Sequence, residues 1–129
     1  MKINNKYRKT RKNKAERTRT MKLTDFPKTD QNIITAMKSH IGIDRAIKLN
    51  TLAQQLKLTE RALQGRIEVL QGMGCAIGSI DNGYFIPTTE EERRMGIIKK
   101  MRTGSSISRA VDGYNLAELD WLEQLEGIE

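Results

Sequence analysis

The chain has 129 residues, with 23 Lys+Arg against 16 Asp+Glu (net +7), 37% hydrophobic and 5% aromatic residues, and a mean hydropathy of −0.60. This length supports one domain with modest extensions, since a domain takes roughly 100–200 residues. No apolar run reaches the ~18–20 residues of a membrane span and no apolar N-terminal stretch marks export. The single Cys75 allows neither an internal disulfide nor a Cys-based zinc site, so a reduced cytoplasmic protein is expected.

Charge is unevenly placed. Residues 1–22 carry ten bases, Arg8, Lys9, Arg11, Lys12, Arg17 and Arg19 among them, against Glu16 alone, a net +9. Residues 112–129 carry six acids and no base, a net −6. Block charge repels itself and only Ile3, Tyr7, Ala15 and Met21 offer apolar anchors, so residues 1–24 are expected to form a basic arm, disordered when free. Such an arm attracts phosphate, because each neutralised phosphate releases condensed counterions; the plainer alternative is a solvated tail.

In the body, Asp30 is the expected N-cap of a helix carrying Ile33, Ile34 and Met37 on one side and ending near Gly42. Ala46-Ile47-Lys48-Leu49 alternates as a short strand would. Asn50 is the expected cap of a second helix burying Leu52, Ala53 and Leu56. Thr59 is the expected cap of a third, whose Leu63, Ile67 and Leu70 recur at helical spacing, with Gly72 and Gly74 ending it. Ala76–Ile80 and Tyr84–Ile86, joined through Asp81-Asn82-Gly83, predict a β-hairpin, because Asn-Gly between apolar runs tolerates the positive φ of a tight turn. Pro87 stops the second strand.

The stretch Leu52-Ala53-Gln54-Gln55-Leu56-Lys57-Leu58-Thr59-Glu60-Arg61-Ala62-Leu63-Gln64-Gly65-Arg66-Ile67-Glu68-Val69-Leu70 resembles the helix-turn-helix of winged-helix DNA-binding proteins. Met73-Gly74-Cys75-Ala76, continuing into Ile80-Asp81-Asn82-Gly83-Tyr84-Phe85-Ile86-Pro87, resembles the wing of biotin-repressor-type and related bacterial and phage domains. The resemblance covers roughly residues 30–89. It implies a mainly α fold with a small β-hairpin: a winged helix-turn-helix over 25–89, between the arm and a helical extension over 90–129. Two positions depart from it. Lys57 stands where the family often has glycine, and Asp81 where a phosphate-gripping wing carries Arg or Lys.

The resemblance further implies that the helix over 59–71 enters the major groove of double-stranded DNA. With Leu63, Ile67 and Leu70 inward, helical spacing sends Arg61, Gly65 and Glu68 outward and places Ala62, Gln64 and Val69 on the flanks. Arg61 suits guanine O6 and N7, Gln64 suits adenine N6 and N7, and Thr59 at the helix N-terminus suits a phosphate. Gly65 allows close backbone approach at a helix-propensity cost of about 1 kcal/mol. Asn82 and Gly83 mark the wing. Arg66, beside the inward face, is expected to make a structural salt bridge, and Glu60 and Glu68 to repel phosphates. Lys28, Lys38 and Lys48 are further phosphate candidates, although a surface lysine is more often only solvated.

Beyond Pro87, Thr88 or Thr89 is expected to cap a helix through Glu90-Glu91-Glu92-Arg93-Arg94, with Ile97, Ile98 and Met101 as its apolar side and Gly104 as its stop. Residues 105–114 are expected to hold a short helix with Ile107, Ala110 and Val111. Asn115 with Glu118 resembles a capping box for a last helix, whose Leu116, Leu119, Trp121, Leu122 and Leu125 sweep a wide arc. That arc can pack on the preceding helix or form a homodimer surface.

No phosphate loop, catalytic carboxylate motif or Ser/His/Asp arrangement is present, His40 falls near a helix end and Cys75 has no second thiol. A non-enzymatic protein without cofactor or metal is therefore expected: a sequence-specific DNA-binding regulator of transcription or replication, of bacterial or phage type. The alternative is a phage-type protein-interaction module inhibiting a host nucleic-acid enzyme.

Overall fold

The computed structural model describes residues 22–81, 83–102, 108–125 and 127. Residues 1–21 of the basic arm, Asn82, Gly104 and Ile107 lie outside them. The end of the expected arm does not: Leu23–Asp25 form a 3₁₀ turn with Leu23 packed against the core, which sets the arm's boundary before residue 22 rather than after 24. Three α-helices lead the described chain: α1 (Lys28–Met37), α2 (Leu49–Leu56) and α3 (Glu60–Gly72). Pro27, not Asp30, occupies the cap position of α1, with the extended ψ of 154° of a residue flanking a helix and no side-chain cap bond. Asp30 instead lies in the first turn, fully buried, and binds Arg66. The helix stops at Met37, before Gly42. Gly42, at φ 100°, turns the chain into a single 3₁₀ turn, Ile43–Arg45.

The strand expected over 46–49 reduces to one residue. Ile47 exchanges both backbone hydrogen bonds with Tyr84 (2.9 and 2.8 Å), and Leu49 already opens α2. Lys48 holds the α2 cap position without a side-chain bond, so Asn50 lies inside the first turn rather than capping it. Lys57 ends α2 in the left-handed region (φ 59°), the conformation for which glycine is the usual residue. Thr59 then caps α3 as expected, its Oγ1 accepting from Ala62 N–H at 3.0 Å. Leu63, Ile67 and Leu70 are buried as expected, and Gly74 (φ 98°) turns the chain beyond Met73.

The hairpin forms, with shorter strands than expected: β1 (Gly78–Ile80) and β2 (Gly83–Phe85), antiparallel, pairing Gly78 with Phe85, Ser79 with Tyr84 and Ile80 with Gly83. Gly83 therefore belongs to β2. A Cβ there would overlap the Ile47 carbonyl, so the close crossing of residue 47, as well as the turn, requires glycine.

The single helix expected after Thr89 is broken into α4 (Glu90–Met95) and α5 (Ile98–Arg102). Thr89 Oγ1 caps α4 by accepting from Glu92 N–H at 3.1 Å. The break falls at Gly96, where a Cβ would overlap the Tyr114 hydroxyl and crowd Gly78 Cα, and whose carbonyl accepts from Ser79 N–H at 2.8 Å. The break reorients the apolar residues: Ile97 is buried, whereas Ile98 and Met101 are 45% and 59% exposed rather than on a shared inward face.

Helix α6 (Ser108–Leu116) runs on through Asn115, which therefore caps nothing, and α7 (Trp121–Gln124) is one turn. Leu116 is exposed, while Trp121, Leu122 and Leu125 are buried and Trp121 Nε1 donates to Ala76 O at 3.2 Å. Three of the five residues of the apolar arc are thus packed against the chain's own core, while Leu116 stays exposed and Leu119 half-buried. One hydrophobic cluster joins α1–α3, the residues around the hairpin, Ile97, Tyr114 and α7. Arg93 locks its rim: Nη1 donates to the carbonyls of Tyr114 (2.7 Å) and Asn115 (3.2 Å), and the Tyr114 hydroxyl donates back to Arg93 O (2.8 Å). Among the described residues no helix is long and apolar enough to cross a membrane.

Candidate nucleic-acid interface

The inward stripe of α3 leaves Thr59, Arg61, Ala62, Gln64 and Gly65 exposed together over its first two turns. A cleft flanks this face on each side. One is formed with the start of α1 and contains Pro27, Thr29, Leu58, Arg61, Ala62, Gly65 and Arg66. The other, of about 640 Å³, lies between α3 and the hairpin, with Glu60, Gln64 and Glu68 on one wall, Ser79, Asp81 and Tyr84 on another, and Lys48, Lys99 and Lys100 around them. Among the described residues a Cβ on Gly65 would meet nothing within 4 Å, so their packing does not require glycine there.

Glu68 and Asp81, the acids of this surface that sequence reasoning left without partners, are met by α5. Lys100 Nζ lies 3.3 Å from Glu68 Oε2, and Lys99 Nζ 3.8 Å from Asp81 Oδ1. Glu68 is half-buried rather than fully outward. Sequence reasoning did not place Lys99 and Lys100 at the site, because a helix continuous through residue 96 aims them elsewhere; only the break at Gly96 brings them to the hairpin. Tyr84 was also missed. Burial, with the Glu68 carboxylate adding to it, raises its hydroxyl above the ordinary tyrosine range, and the Gln64 side chain offsets part of the rise by hydrogen bonding. The β2 register offered a signal, since Tyr84 alternates to the face opposite buried Phe85.

The structural salt bridge expected of Arg66 is present: Nε and Nη2 donate to the two oxygens of Asp30 at 2.9 and 2.6 Å. That hydrogen bonding raises the guanidinium above its ordinary value against the opposing cost of burial. Arg8, Lys9, Arg11, Lys12, Arg17, Arg19 and Asn82 fall outside the described residues. Gly83 is held against Ile47 rather than presented at a tip. Of the lysine candidates, Lys48 lines the hairpin-side cleft, and Lys28 lines a shallow groove with Asn32, Gln55 and Lys57; Lys38 is not brought to α3 by either cleft. His40 Nδ1 pairs with the Arg45 carbonyl at 2.8 Å. Cys75 is buried, and desolvation, reinforced by the Asp30 carboxylate, pushes its thiol up to about 12, leaving it protonated and poorly nucleophilic at neutral pH.

Compared with known proteins, the chain matches no family model, no curated protein and no solved structure. What the surface can do chemically follows from its residues: a convex helical face with one arginine, one amide and a bare backbone, bordered by two concave flanks, on the hairpin side of which lysines offset the acids.

Proposed function

We propose that this is a non-enzymatic, sequence-specific DNA-binding protein of winged-helix type, which places α3 in the major groove and a basic N-terminal arm on the phosphates. The carrying observation is the joint exposure of Arg61, Ala62, Gln64 and Gly65 on the first two turns of α3, a surface the width of a groove-reading helix with donors suited to guanine and adenine edges. Two further observations support it. Pro27 and Thr29 share a cleft with Arg61, so the chain just beyond the arm runs beside the reading helix. Lys99 and Lys100 offset Asp81 and Glu68, which weakens the expected repulsion of phosphate. A role in transcription or replication control fits such a protein.

Selection of bound sequences from a random DNA pool tests the reading. A defined motif is expected, with log K falling against log salt at a slope of about −5 if ~6 phosphates are covered. Removing residues 1–21 weakens all duplexes alike, whereas Arg61→Ala relaxes preference at one base pair. A flat salt response with no enriched motif overturns the reading.

The second reading, a protein-interaction module acting on a host nucleic-acid enzyme, is favoured by exposed Glu60 and by Val69 and Met73, which are 44% and 46% exposed toward the far end of α3. Capture of the same polypeptide from nuclease-treated bacterial lysate, lost on Val69→Asp, separates it from DNA binding.

A further inference from the structure

We propose that Arg66 is a phosphate-gripping residue aimed by buried Asp30, which makes the cleft between α1 and α3 a built contact for the DNA backbone. This rests on the DNA-binding reading above and assigns it a residue that helical spacing alone places in a structural role.

A guanidinium carries five N–H donors in a rigid plane. Asp30, 0% exposed, takes Nε and Nη2 along one edge at 2.9 and 2.6 Å. The end edge, formed by Nη1 and the second N–H of Nη2, has no partner among the described residues. That edge suits the bidentate fork that arginine offers to phosphate oxygens. The Arg66 side chain is 38% exposed and lines the cleft with Arg61, Ala62 and Gly65 on α3, and Pro27 and Thr29 at the start of α1. Ala62 and Gly65 place little bulk between it and an approaching duplex. Arg66 lies on the α1 flank of α3 rather than on its outward face. A duplex seated on Arg61 brings its backbone, not its base edges, over that flank. Asp30 is therefore a positioning residue: it removes the rotamer freedom that an unsupported arginine loses on binding.

Duplex binding by the full chain across a salt series, measured by fluorescence anisotropy, tests this. Arg66→Lys keeps the charge and one bond to Asp30 but lacks a second edge, and affinity is expected to fall about tenfold, the order of a lost charge-assisted hydrogen bond. Asp30→Asn removes a negative charge, so bulk electrostatics alone strengthens binding; the positioning role requires it to weaken binding. The pair Asp30→Asn with Arg66→Gln retains a neutral amide hydrogen bond and hence the fold, and its salt slope is expected to be shallower by about 0.9, one phosphate. A parent that binds DNA beside an Asp30→Asn variant that binds as tightly or more tightly, or a paired variant with unchanged slope, overturns the role of Arg66 alone. A parent that binds no duplex overturns the DNA-binding reading and this inference with it.

Discussion

A glycine in the second turn of a helix is costly unless something uses its missing side chain. At Gly65 nothing among the described residues does, since a Cβ there would meet none of them within 4 Å. Alanine removes unfolded-chain entropy and restores helix propensity, so Gly65→Ala is expected to stabilise the fold by about 0.5–1 kcal/mol in a thermal or urea melt. If α3 lies in a groove, the added methyl stands between backbone and bases, and duplex affinity falls while stability rises. Opposite signs for the two measurements point to a ligand pressed against that backbone. Stability and affinity rising together would remove Gly65 from the interface. Lys57 shows the converse case. It adopts the left-handed conformation for which glycine is the usual residue, and the turn between α2 and α3 forms with lysine there.

At the scale of elements, the crossing of α3 and α6 is governed by two glycines with different duties. A Cβ on Gly113 would overlap the Gln71 carbonyl and lie 2.6 Å from Gly72 Cα, both backbone, whereas a Cβ on Gly72 would press only on the Arg109 side chain at 3.1 Å and meet the Arg109 carbonyl at an ordinary contact distance of 3.5 Å. Backbone cannot yield as a flexible side chain can. Gly113→Ala is therefore expected to cost about 2 kcal/mol or more in chemical denaturation, and Gly72→Ala to stay within about 0.5 kcal/mol of the parent. Equal losses would mean that the helices are not set by this approach. The same distinction explains what the sequence made legible. The α3 core stripe, the Thr59 cap, the hairpin and the Thr89 cap rest on local rules of period and capping, and all four are present. The misplaced features depend on distant partners: Asp30 is drawn inward by Arg66, 36 residues away, and the helix break at Gly96 answers to Gly78 and Tyr114. At the candidate site, the exposed positions of α3 were legible from periodicity. Lys99, Lys100 and Tyr84 were not, because their placement follows from that break and from the seat of the hairpin on Ile47.

At the scale of the whole molecule, residues after 89 complete the core around the α3 and hairpin region. Ile97, Tyr114, Trp121, Leu122 and Leu125 belong to the same hydrophobic cluster as Leu63, Ile67 and Ile77, and Trp121 supplies the hydrogen bond to the Ala76 carbonyl just before β1. Deleting one large core side chain costs roughly 2–5 kcal/mol, against a total domain stability of roughly 5–15 kcal/mol. A chain ending at Thr89 loses all five and uncovers the back of α3, so it is expected to show no cooperative melt by circular dichroism and no salt-dependent preference among duplexes beyond what the arm alone provides. Trp121→Ala in the full chain is the graded form of the same test: a loss of about 3–5 kcal/mol, because the cavity is joined by a buried carbonyl without its donor. Trp121 is also the sole tryptophan and is buried, so in the parent its emission and the helical signal should change together on denaturation. If emission shifts at lower denaturant than the helical signal, α7 opens separately and the exposed face of α3 is supported by α1–α3 and the hairpin alone.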